Sequence, residues 1–91
     1  MPHKRYKSKR YEIEAGIRLR QLRKKRGLTL RDIEEASKLM AKVRGNRRFV
    51  IMPSQLSLIE QQGKVPNIYR LAALDRIYKV GLKKLLSFYK V

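Results

Sequence analysis

Residues 53–63 read Pro53-Ser54-Gln55-Leu56-Ser57-Leu58-Ile59-Glu60-Gln61-Gln62-Gly63, and this stretch decides the fold. Proline suits the first turn of a helix, where a missing N–H costs nothing, and Gly63 supplies a stop at the far end. At about 100° per residue, Leu56 and Ile59 share one side, while Ser54, Ser57, Leu58 and Gln61 share the other. The segment therefore predicts a short helix with an apolar inner side and an uncharged outer side.

Upstream, Arg47 to Met52 reads as a connector of β-branched, extended character. Before it, Thr29 can cap a second helix, and Asp32 completes a capping box with aspartate in place of glutamate. Leu30, Ile33, Ser37, Met40 and Ala41 continue one face of that helix, with Ala36, Leu39 and Val43 beside it. Gly45-Asn46 ends it. A first helix spans roughly 12–26, with Ile13, Gly16, Ile17 and Arg20 in one row and Ala15, Leu19 and Leu22 in the next, together predicting a buried face. Cations gather at its C-terminal end, where the helix dipole favours them, and Gly27 stops it.

Downstream, Asn67 caps a fourth helix whose apolar positions are Ile68, Leu71, Ala72, Leu74, Ile77 and Tyr78. Gly81 breaks the chain, and Leu82, Leu85, Leu86 and Tyr89 form a last short helix. The expectation is an all-α, five-helix domain over 12–91, preceded by a flexible basic arm over 1–11. Such an arm can lie along phosphates or simply be solvated.

The 91 residues suit one domain. Lys and Arg number 24 against 7 acids, a formal net charge of +17, which favours a polyanionic partner: nucleic acid ahead of an anionic membrane. No cysteine is present, so disulfides and thiolate metal sites are excluded. Apolar runs such as Phe49 to Met52 fall far short of the roughly 20 residues a membrane span needs, and a cytoplasmic chain without a membrane segment is expected.

Catalysis is not expected. His3 stands alone, Asp32 is taken up as a capping candidate, Glu34 and Glu35 sit among arginines, and no nucleophile–base pair, metal-ligand spacing or Gly-rich phosphate cradle appears. No cofactor, metal or small-molecule substrate is anticipated. Tyr78 and Tyr89 read as core residues, although Phe88 and Tyr89 could instead form a dimer contact.

In order along the chain, Gly16-x-x-Leu19-Arg20-x-Leu22-Arg23, Gly27-Leu28-Thr29-Leu30-Arg31-Asp32-Ile33 and Ser54-Gln55-Leu56-Ser57-Leu58-Ile59-Glu60 resemble the Cro/repressor-type (xenobiotic-response-element) helix-turn-helix family. Pro66-Asn67-x-x-x-Leu71 and Val80-Gly81-Leu82-x-x-Leu85-Leu86 match the family's last two helices. The resemblance implies a five-helix, lambda-repressor-like bundle that presents its third helix to the major groove of double-stranded DNA, often as a homodimer. One departure is that Ser37 to Ser54 is about a dozen residues longer than the family's tight turn. The chain resembles a variant with an insertion between helices two and three.

Carried over residue by residue, the base-reading positions are Pro53, Ser54 and Leu58, flanked by Ser57 and Gln61, with Gln55 also able to hydrogen-bond. Proline offers no donor and leucine reaches only a thymine methyl, so direct readout is expected to be modest and helped by the arm, the insertion or DNA shape. Arg23 and Glu60 match a pair that orients the arginine toward phosphate, and Thr29 and Lys64 match backbone-contacting positions. Arg47 and Arg48, in the insertion, are further phosphate candidates or part of a solvated loop. The function implied is sequence-specific transcription regulation. Two alternatives remain open: a sequence-tolerant DNA- or RNA-binding protein, and an antitoxin-like protein whose main partner is another protein.

Overall fold

Local capping sets where each helix begins and ends. The computed structural model describes residues 9–90, so most of the expected arm, with His3, lies outside the described residues. Helix α1 runs Arg10–Lys25, starting before the apolar periodicity does. Glu12 Oε1 accepts the Lys9 N–H at 3.1 Å, and this bond starts the helix within the basic run, so Arg10 and Tyr11 belong to α1 rather than to an arm.

Helix α2 runs Leu30–Arg44. Thr29 Oγ1 accepts the Asp32 N–H at 3.0 Å, and the Asp32 carboxylate accepts the Thr29 N–H at 2.8 Å. The bond from the Thr29 backbone, then that to its hydroxyl, hold the Asp32 carboxyl below the usual aspartate range. Gly45 ends α2 in the left-handed region at φ 64°. Asn46 Oδ1 then accepts the Arg48 N–H at 2.9 Å and opens a 3-10 turn over Arg47–Phe49. The extended connector expected from Arg47 thus begins only at Val50.

Helices α3 (Pro53–Gln62), α4 (Ile68–Tyr78) and α5 (Leu82–Phe88) complete the chain. Among the described residues there is no strand, and the architecture is an all-α five-helix bundle. Helix α1 packs on α3 and α5; α2 packs on the 3-10 turn, α3 and α4; α4 closes on that turn and on α5. Leu19, Ile33, Leu56, Ile59, Leu74, Tyr78 and Leu85 fill the centre. Tyr89 is buried too, which leaves it no surface for a dimer contact.

Two of the apolar rows are only half interior. Ile13 and Ile17 are 41% and 47% exposed, and Leu39 and Val43 are 63% and 77% exposed. The cause in α1 is Gly16: a Cβ there would collide with the Ile59 carbonyl oxygen and lie 2.9 Å from that of Glu60. Backbone contact at Gly16 turns Ala15, Leu19 and Arg23 inward and leaves Ile13 and Ile17 at the rim. No helix among the described residues is long and apolar enough to cross a membrane.

Candidate nucleic-acid interface

Helix α3 is fixed just before its start and in its C-terminal half by residues distant in sequence. Before the start, Ser37 Oγ accepts the Ile51 N–H at 2.9 Å and donates to the Glu34 carbonyl at 2.9 Å. In the C-terminal half lies the Gly16 approach to the Ile59 and Glu60 carbonyls. Toward the end, Arg23 Nε and Nη2 donate to the two Glu60 carboxylate oxygens at 2.8 and 3.0 Å, and Nη1 donates to the Leu28 carbonyl at 2.8 Å. Both side chains are buried, at 8% and 2% exposure, so this bidentate pair is held in low dielectric. The bond to Glu60 raises the Arg23 pKa against the burial that lowers it.

With Leu56, Ile59 and Glu60 facing inward, the outer side of α3 is Ser54 and Gln61, exposed, and Ser57 and Leu58, half-buried. Pro53 is half-buried at the first turn. This side carries hydroxyls, an amide and one apolar side chain, and no charge of its own.

Charge stands around it instead. Lys64 is exposed just beyond Gly63, where the chain leaves α3. Before α3, Arg47 and Arg48 are exposed on the 3-10 turn. Arg70 Nε donates to the Val50 carbonyl at 3.2 Å, bracing the connector against α4. Between Glu35 and Asp75 the sequence has one acid, Glu60, and it is only 3% exposed. The surface contributed by this stretch is therefore free of exposed carboxylate.

Three expectations change. Arg23 leaves the phosphate set, because three of its five N–H donors are committed to Glu60 and Leu28 and almost none of the side chain is reachable. Thr29 serves as a cap, and a phosphate approaching its N–H would meet the Asp32 carboxylate already there. Gln55 Oε1 accepts the Met52 N–H at 2.9 Å, which leaves only its amide nitrogen for a base.

Two structural residues escape a reading of the chain. Arg26 Nε donates to the Tyr78 carbonyl at 2.7 Å and ties the end of α1 to the end of α4. Nothing local marks that contact. Ser37 had one signal, a hydroxyl on an otherwise apolar row, which points to a buried partner without naming it.

The fold and the site define a class: a small five-helix bundle with a short, rigidly mounted, uncharged helix side flanked along the chain by exposed cations. No protein-family model, curated protein or solved structure matches this chain, so its assignment rests on these residues and their geometry.

Proposed function

We propose that the chain is a double-stranded DNA-binding protein of the Cro/repressor helix-turn-helix kind, a transcription regulator that lays α3 in the major groove. One observation carries the reading: the outer side of α3 sits in a surface from which every carboxylate between Glu35 and Asp75 is missing or buried. Exposed cations flanking a groove-sized rod supply phosphate attraction, and uncharged side chains on the rod avoid repelling base edges. Ser54, Ser57, Leu58 and Gln61 are the base-facing set, with Pro53 and the Gln55 amide at its edge. Lys64 is the phosphate contact at the C-terminal end. Two copies on a two-fold site is the expected arrangement on a regulatory target.

The lack of an arginine on the outer side of α3 favours one second reading, sequence-tolerant binding, because a bidentate grip on guanine is the commonest specific contact. Selection of bound duplexes from a random pool at two salt concentrations separates the two. A site-specific regulator prefers its selected sites by about 10³ or more over random duplex. A tolerant binder shows no such preference. Ser54→Ala and Leu58→Ala should change which duplexes are chosen. Lys64→Ala should weaken all of them alike and lower the salt slope by about one unit. Identical behaviour of the two sets would remove α3 as the reader.

A further inference from the structure

We propose that the inserted segment 44–50 is a second DNA-contact surface, a phosphate clamp in which arginines are held in place by aromatic rings. The inference rests on the duplex-binding reading above and adds to it how the cations before α3 are mounted.

The Arg44 guanidinium lies 5.7 Å from the centroid of the Phe49 ring. Phe49 meets Tyr69 edge to face, with centroids 5.5 Å apart at 85°. Arg48 lies 5.4 Å from the Tyr69 centroid, and its Nη1 donates to the Tyr69 hydroxyl at 3.3 Å. The two rings thus connect α2, the 3-10 turn and the first turn of α4, with one guanidinium on each ring.

A ring under a guanidinium restrains it through the ring quadrupole and leaves its remaining N–H donors at the edge, the geometry a phosphate needs. Arg47, beside them, is exposed, and its side chain has no hydrogen bond, ion pair or ring contact among the described residues. None of the three arginines is in an ion pair with a carboxylate among the described residues, although several exposed cations elsewhere are. Surface arginines that serve only solubility have no need of aromatic mounts.

Position supports the same role. A helix of about 10–12 Å diameter fits a major groove about 12 Å wide, and the ten residues of α3 run about 15 Å along it. Arg47 and Arg48 precede the rod and Lys64 follows it, so cations stand at both ends of an element matched to the groove. The clamp would hold the backbone at the N-terminal end of α3 while Lys64 holds it at the other.

The test measures binding of the full chain to a labelled random-sequence duplex and to a selected duplex by fluorescence anisotropy across a salt series. Replacing Arg44, Arg47 and Arg48 together by glutamine should lower the slope of log K against log salt by about two to three units, and Arg47→Gln alone by about one. Both changes should weaken the two duplexes equally. Tyr69→Leu removes a mount but no charge, so it should leave the slope unchanged and weaken binding by about two- to fivefold. If Arg47→Gln and the triple variant keep the wild-type slope while Lys64→Gln loses a unit, the clamp is refuted and the α3 reading stands. If the wild-type chain binds no duplex, both fall. Should the triple variant lose helical circular dichroism, Arg47→Gln alone decides, since no side-chain contact is lost with it.

Discussion

The hydroxyl of Ser37, wholly buried in α2, accepts the backbone N–H of Ile51, the last interior residue before α3. One small polar side chain thereby registers the insertion on the helix that precedes it. Ser37→Ala strands a buried N–H and should destabilise the fold by about 1–3 kcal/mol, read as a lower urea midpoint at constant m-value. Ser37→Thr, which keeps the oxygen, should lose less. Equal losses in the two variants would mean that volume and not the bond matters at this position.

Arg23 and Glu60 are predicted to be worth far more to each other than to the fold. Glu60→Leu leaves the buried guanidinium uncompensated and should cost about 3–5 kcal/mol. Adding Arg23→Met to it should recover most of that loss, because paired apolar residues replace paired charges at little net cost. A double-mutant cycle from denaturant melts measures the coupling. Strict additivity would show that the pair does not bind α3 to α1.

Gly16→Ala, at the one glycine of α1, should be more damaging than Gly45→Ala at the end of α2. Its Cβ has to displace the backbone carbonyls of Ile59 and Glu60, which predicts a cost of about 1–3 kcal/mol and a parallel loss of any DNA binding. Gly45→Ala meets open space and strains only its own backbone, at about 1 kcal/mol. Thermal melts of the two variants test the order.

Tyr78 is wholly buried, and its hydroxyl finds no hydrogen-bond partner among the described residues. Burial first, then the nearby Glu60 carboxylate, push its pKa upward. A raised phenol pKa contributes stability that is intact below the unfolded value of about 10 and lost as pH rises through the folded one. Tyr78→Phe should therefore match or exceed wild type at neutral pH and decline less on alkaline titration. The phenolate absorbance that appears only as the chain unfolds should fall by one tyrosine in Tyr78→Phe. A Tyr78→Phe chain markedly weaker at neutral pH would mean that the hydroxyl has a partner.

Much of this was legible in the chain because helix ends are local chemistry. Thr29 with Asp32, Pro53, Gly45, Gly63 and Asn67 each mark a terminus within one turn, and the 3.6-residue period separated Leu56 and Ile59 from Ser54 and Leu58. The start of α1 was harder to read, since Lys9 and Glu12 cap it inside a run of cations with no apolar period. Periodicity also could not say which of two adjacent rows is interior; Gly16 and its backbone contact decide that for Ile13 and Ile17. The ring contacts of Arg44 and Arg48 depend on Tyr69 arriving from a different helix, and no local pattern encodes such a meeting.

A consequence for hydrogen exchange follows from the three attachments of α3. Cut out as a peptide, ten residues of such composition would be almost entirely unwound in water. Within the bundle, residues 16, 23 and 37 hold this segment from two other helices, so its central amides can reach solvent only when those helices part as well. Deuterium should enter the backbone N–H groups of Leu58 to Glu60 at the rate of whole-molecule opening, while the free ends of α1 and α5 exchange by fraying.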